Sequence, residues 1–147
     1  MKTSTSSPLL DVNVLLALAW PNHQFHTSAR AWFAAYGRRG WSTCAVTQLG
    51  FVRLSSNPRF TPLATTPWEA LALLRQLVAV KEHRYLDASP APVAPAFGDI
   101  AQRLIGPNQV TDAYLLVIAR QHRVPLVTFD HRLKHLADSR ERVVLLT

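Results

Sequence analysis

The stretch Pro8 to Leu18, PLLDVNVLLAL, decides how the whole chain is read: a short apolar run, one carboxylate at Asp11, then apolar residues at helical spacing. A strand that meets an Asp and turns at once into a helix places that carboxylate at the carboxyl edge of a sheet, where open α/β folds hold their ligands. Asp is also a favoured N-cap, its side chain accepting a backbone N–H of the first helical turn. Asp11 is thus read both as a cap and as the first candidate for chemistry. A second copy of the pattern, PLVTFD from Pro125 to Asp130, again ends an apolar run on an Asp.

The alternation of strands and helices outward from these two sites predicts an α/β fold with a largely parallel sheet covered on both faces. Between them we read a helix from Asp11 to Trp20 and a second from His23 to Gly37. A strand follows over Trp41 to Val46, then a helix that Thr47 caps. The Pro- and Asn-rich stretch Asn57 to Thr66 is a loop, and Pro67 opens a helix with an apolar stripe at Leu71, Leu74, Leu77 and Val78. Arg84 to Ala88 reads as a short strand, and a Pro-rich connection runs from Ser89 to Pro95. A helix carrying Ile100, Leu104 and Ile105 ends at Gly106-Pro107. The next helix, capped by Asn108 or Thr111, carries Asp112 in its first turn. A strand over Leu126 to Phe129, a short helix from His131 to Leu136 and a last strand over Val143 to Leu146 complete the chain.

A chain of 147 residues has the length of one domain; residues 8–147 are assigned to it and residues 1–7 to a disordered leader. No stretch reaches the roughly 18 apolar residues of a membrane span, and no apolar segment precedes Asp11, so a cytoplasmic protein without membrane contact is expected. The single cysteine, Cys44, excludes a disulfide framework. Lys and Arg number 16 against 9 Asp and Glu. Arginine outnumbers lysine, which suits bidentate recognition of phosphate. Three of the scarce acids, Asp11, Asp112 and Asp130, stand in apolar surroundings at element ends.

Parallel neighbouring strands ending at Asp11 and Asp130 bring both carboxylates to one edge, with Asp112 beside them at the start of the intervening helix. Like charges so placed call for neutralisation, and oxygen-only ligation favours Mg²⁺, with Mn²⁺ as the alternative, over zinc. Beside a basic surface, such a site suits phosphodiester hydrolysis. The pair His23 and His26 lacks an acid or Cys at ligand spacing and is read as structural. There is no phosphate-cradling Gly-rich loop.

At these residues the chain resembles a PIN-domain ribonuclease, and within that family a VapC-type toxin of a toxin–antitoxin pair. The resemblance runs from Leu9 to the end and rests on LLDVNVLLAL, HQFHTSARAW (His23 to Trp32), GFVR (Gly50 to Arg53), VTDAYLL around Asp112 and LVTFD at Asp130. It implies a PIN-like three-layer α/β/α sandwich with a central, mainly parallel sheet. It further implies Mg²⁺-dependent endonucleolytic cleavage of RNA, transfer RNA or another structured RNA, to products with a 5′-phosphate and a 3′-hydroxyl. On it Asp11, Asp112 and Asp130 are the catalytic metal ligands, Asn13 and Thr128 orient them, and Arg53 and Arg132 are candidate phosphate contacts. Arg120 and Arg123 are weighed with them. A homodimer neutralised by a cognate antitoxin is implied as well, with an antitoxin Arg set among the carboxylates.

One position departs from the pattern. Where the family usually carries a Glu one helical turn before the Arg matched by Arg53, this chain has Gly50, leaving three acids rather than four. Asp99 is the candidate extra acid. A helical Gly costs about 1 kcal/mol against Ala, and close backbone approach is one reason to keep it. The rival reading is a PIN fold that has lost catalysis at Gly50 and retains RNA or antitoxin binding. A phosphoacceptor domain, which also gathers acids at a sheet edge, needs paired acids after the first strand and a placed Lys. Asp11 stands alone, and the lysines are Lys2, Lys81 and Lys134.

Overall fold

The computed structural model describes residues 7–87, 90–138 and 141–147. Strands β1 (Leu9–Leu10), β2 (Trp41–Cys44), β3 (His83–Leu86), β4 (Leu126–Thr128) and β5 (Val143–Leu145) form one sheet in the order β3-β2-β1-β4-β5, every pairing parallel. The helices are α1 (Val12–Ala19), α2 (His26–Tyr36), α3 (Ala45–Ser55), α4 (Pro67–Val78), α5 (Pro95–Ala101), α6 (Val110–Gln121) and α7 (His131–Leu136), with 3₁₀ turns at Gly37–Arg39 and Pro107–Gln109.

Strand alternation sorts the core into two layers. Leu9 and Leu126 face a cluster built with Leu115, Leu116 and Ile118 of α6, Ile100 of α5 and Leu133 of α7. Their neighbours Leu10 and Val127 face the other side, with Leu15 and Leu16 of α1, Ala29 of α2, Phe51 of α3 and Leu74 of α4. Both leucines of β1 are fully buried, as a strand covered on two faces requires. The result is the expected three-layer α/β/α sandwich. No helix of the described residues is long and apolar enough to cross a membrane.

β3 runs His83–Leu86 where the sequence reading has Arg84 to Ala88, Ala88 lying outside the described residues, and β4 and β5 each end one residue early; four further boundaries differ from that reading, each for a local reason. α2 begins at His26, because His23 Nδ1 accepts from the backbone N–H of Phe25 (3.1 Å) and holds His23 in the preceding turn. Ala45 and Val46 belong to α3, not to β2. Cys44 is the N-cap and Thr47 sits three residues on, its Oγ1 accepting from Cys44 N–H (3.0 Å). α5 stops at Ala101, where Arg103 turns to donate to the Leu136 carbonyl from Nε (3.2 Å) and Nη2 (3.0 Å). α6 follows a 3₁₀ turn, with Gln109 at its N-cap in place of Asn108 or Thr111. Residues 1–6 of the proposed leader lie outside the described residues; the Ser7 carbonyl accepts from Ser42 Oγ (2.7 Å).

The order β3-β2-β1-β4-β5 places β1 between strands reached by connections running in opposite directions, the kind of position at which open parallel sheets form ligand sites. Asp11 leaves β1 there, and Asp130 follows β4 two residues past its end. Because α6 leads back into β4, its first turn, with Asp112, lies at the same edge.

Candidate active site

Asp11 caps α1 and is 5% exposed. Its Oδ1 accepts from the N–H of Val12 and its Oδ2 from Thr128 Oγ1, both at 2.7 Å. Burial pushes its pKa up, opposed by these two hydrogen bonds and reinforced by the charge of Asp130. A solvated N-cap has no need of such burial, so capping alone does not account for the position.

Thr128 is the junction of the site. Fully buried at the end of β4, its hydroxyl donates to Asp11 and accepts from Asn13 Nδ2 (3.3 Å) and the Asp130 N–H (3.0 Å). One proton and two lone pairs are all that a threonine hydroxyl offers, and all three are used. Asn13 Oδ1 in turn accepts from the Phe129 N–H (3.3 Å), tying the first turn of α1 to the β4 exit.

Asp112, half-buried at the start of α6, has its pKa pushed up to about 6, first by burial, then by the charges of Asp11 and Asp130, with Arg132 acting against them. These mutual effects show that the structure brings the three acids into one field. Asp130 is held the other way. It caps α7, its Oδ1 accepting from the N–H (2.9 Å) and Nε (3.1 Å) of Arg132 and its Oδ2 from Arg132 Nη2 (3.0 Å). That side-chain bidentate pairing is the main reason its pKa lies below the usual range. Among the described residues no group of three Asp, Glu, His or Cys side chains is gathered tightly enough to hold a metal ion. The donor set nevertheless fits a hard divalent cation: carboxylates only, one of them driven toward protonation by its neighbours. Sequence reasoning did not anticipate that Arg132 clamps Asp130; the signal was present in Asp-His-Arg at a helix start.

The other candidates separate. Asp99 is exposed on α5 and is not among the charges acting on the three acids. Arg53 is exposed in the last turn of α3. Arg120 lies 3.8 Å from Glu141, and Arg123 precedes β4 at the amino edge, away from the acids. Of the four arginines weighed, Arg132 is the one seen acting on Asp112 and Asp130. His26 Nδ1 is 2.7 Å from the Ala17 carbonyl, so the His pair is built into the α1–α2 packing.

Gly50 is explained by close packing beside the site. A Cβ built on it would stand 2.7 Å from Val12 Cγ2, one residue past Asp11, so α3 crosses α1 where any larger residue would have to displace the valine. Clefts of about 530, 420 and 300 Å³ elsewhere on the molecule include none of the three acids in their linings.

Comparison with known proteins places this geometry in context. The PIN domain model matches residues 9–139. The chain is 45% identical over 141 residues to Ribonuclease VapC38 of Mycobacterium tuberculosis, covering 95% of this chain and 97% of that one. To Ribonuclease VapC44 of the same species it is 43% identical over 122 residues, covering 83% and 84%. Among solved structures, VapBC2 from Rickettsia felis bound to a promoter DNA fragment superposes with a TM-score of 0.66 at 12% identity, covering 95% of this chain and 98% of that one. DNA-bound VapBC from Salmonella typhimurium gives 0.62 at 16%, covering 94% and 96%.

Proposed function

The chain belongs to the PIN-domain family, in its VapC ribonuclease branch, and from that premise we propose that it is a Mg²⁺-dependent endoribonuclease, the toxin of a type II toxin–antitoxin pair. The observation that carries the reading is the field shared by Asp11, Asp112 and Asp130 at the reversal of strand order, with Asp112 raised to about 6 by burial and its two neighbours. Carboxylates so crowded are the donors a hard cation needs. Asp11, Asp112 and Asp130 would hold Mg²⁺ or Mn²⁺, which when bound offsets their repulsion, orients a phosphate and makes water a stronger nucleophile.

The chain's own groups do the rest. Thr128 and Asn13 fix Asp11 in one orientation, so the carboxylate is set before substrate arrives. Arg132, exposed at the rim and within the field of Asp112 and Asp130, is placed to exchange its carboxylate partner for a substrate phosphate. The chain's net charge of +7 suits a polyanion.

The expected partners are a cognate antitoxin and a second copy of the chain. Leu49 of α3, Phe60 and Leu63 of the α3–α4 connection and Trp68 of α4 are large apolar side chains exposed by 44% or more, and they favour a partner on that side. The second reading, binding without catalysis, is favoured by the tight packing of Val12 on Gly50, which leaves three acids and penalises a fourth carboxylate there.

One experiment separates the two: total RNA incubated with purified protein in Mg²⁺, Mn²⁺ or EDTA, beside Asp112→Asn. Discrete metal-dependent fragments with 5′-phosphate ends, absent from the variant, are expected. RNA bound in a salt-sensitive way but uncut under every metal would establish the binding-only reading.

A further inference from the structure

In a parallel sheet every strand starts at the same edge, so the residues before β2, β3, β4 and β5 share the side opposite the acids. That edge carries Arg38 and Arg39 before β2, Lys81 before β3, Arg123 before β4 and Arg142 before β5, all exposed. The acids nearby are directed elsewhere. Glu141 is buried against Arg103 (3.4 Å) and Arg120 (3.8 Å), and Glu82 lines the separate cleft between α2 and α4.

Within this edge lies the cleft of about 420 Å³, between the end of α2 and the β4–β5 side of the sheet. Trp32 and Tyr36 form its aromatic wall, Val127 and Val144 its apolar floor, and Arg39 and Arg142 its charged rim. Arg39 lies over the Tyr36 ring, 5.5 Å from its centroid. Arg142 is exposed, and its Nη2 donates to the Arg123 carbonyl (2.8 Å), which fixes its guanidinium at the rim.

Arg123 supplies an independent sign. Its φ is 59°, in the left-handed region, at the residue after the C-cap of α6, and Val124 N–H closes the turn onto the Ala119 carbonyl (3.0 Å). Glycine is the residue such a helix end prefers, because a Cβ is strained there. An arginine at a strained backbone position points to use of its side chain.

We propose that this cleft is a second RNA-contact surface, in which a base of a single-stranded segment stacks on Trp32 and Tyr36 while its phosphates meet Arg142 and Arg123. Aromatic walls with interleaved arginines are how unpaired RNA is held, base on ring and phosphate on guanidinium. Five residue steps, from Pro125 to Asp130 through β4, separate this edge from the acids, roughly 16 Å at about 3.3 Å per residue. The cleft therefore grips a part of the substrate remote from the bond to be cut, and so favours long RNA over short. The inference rests on the ribonuclease reading for the identity of its ligand.

The test measures fluorescence anisotropy of a labelled 20-nucleotide single-stranded RNA with the full chain carrying Asp112→Asn, with and without Arg142→Glu and Tyr36→Ala, over a salt series. Both added substitutions replace exposed side chains, and thermal melts check the fold. Loss of about tenfold in affinity, the worth of one stacked base, is expected, with a shallower salt dependence. In the catalytically intact chain, the same pair should raise KM for long RNA at unchanged kcat and leave a trinucleotide-length substrate unaffected. Unchanged affinity and salt slope would overturn the proposal, as would an equal effect on duplex DNA, which has no unpaired base to stack. If no RNA is cut under any metal while the anisotropy effect appears, the cleft stands and the nuclease reading falls. If RNA is cut in a metal-dependent way and the anisotropy effect is missing, the nuclease reading stands and the cleft falls.

Discussion

Replacing Thr128 by valine keeps the shape of a fully buried side chain and removes one hydroxyl, yet it should cost about 3 kcal/mol at pH 8. The hydroxyl donates to a buried carboxylate at 2.7 Å, a charge-assisted bond worth about 1.5–3 kcal/mol. It also accepts from the Asp130 N–H at 3.0 Å, whose loss adds about 1 kcal/mol at a half-buried helix start. For a chain of this length the melting temperature should fall by roughly 6–12 °C. The loss must depend on pH. Burial already holds the Asp11 pKa above its ordinary 3.8, and the Thr128 bond is the largest effect opposing it, so the variant raises that pKa further. Between the unfolded and folded pKa values the native state binds more protons than the unfolded chain, so stability falls as pH rises through that window. The variant widens the window, so its deficit is full above it and shrinks toward pH 4. Urea unfolding at pH 4, 6 and 8 measures this, with Thr128→Ser, which keeps the hydroxyl, as the control without pH dependence. A deficit below 1 kcal/mol at pH 8, or one equal at all three pH values, would refute the assignment of Thr128 as the support of an ionised Asp11.

Asp112→Asn should stabilise the metal-free protein above pH 6 by about 1 kcal/mol, once the shift from 3.8 to about 6 is discounted for partial solvent exposure. The gain should disappear below pH 4, where Asp112 is protonated in both states, and calorimetry with EDTA across that range checks it. Gly50→Glu should cost about 1–2 kcal/mol, overpacking against Val12 outweighing the helix-propensity gain, and Val12→Ala in the same chain should recover most of it. Equal stability of the single and double variants in urea would show that the 2.7 Å approach is not the constraint. Arg132→Ala releases Asp130, whose pKa should rise toward the ordinary carboxylate range, readable by carboxyl NMR, and Mg²⁺ should bind several-fold more tightly by calorimetric titration. Unchanged Mg²⁺ affinity would mean that Arg132 does not compete for the site. Arg123→Gly should stabilise the fold by about 1 kcal/mol in urea while weakening RNA retention; no stabilisation would mean that the left-handed turn carries no strain.

What was legible in the sequence, and what was not, follows from the range of the forces involved. The α/β alternation and the acids at strand ends are written locally: apolar runs of strand length stop on Asp11 and Asp130, and Asp112 sits where a helix must start if it is to lead back into β4. Parallel pairing then brings all three to one edge without further information, because the order β3-β2-β1-β4-β5 leaves β1 and β4 as neighbours. The errors fall where a side chain outweighs backbone propensity. Thr47 binds back to Cys44 and ends β2 two residues early, and Arg103 reaches the Leu136 carbonyl and ends α5 at Ala101. Neither is visible in hydrophobic periodicity, since each depends on where one polar atom finds a partner. The same holds within the site. Arg132 could be named as a candidate but not placed, because its choice between solvent, substrate and Asp130 is a contest among contacts of similar strength. Gly50 marks the opposite limit. Its signal, a helix carrying glycine at an avoidable cost, is local, whereas its cause, Val12 on another helix, is not. That cause ties two positions together: as long as valine follows Asp11, a side chain at position 50 must displace it. A carboxylate introduced at position 50 is thus penalised, and the penalty is relieved when a smaller residue stands at position 12.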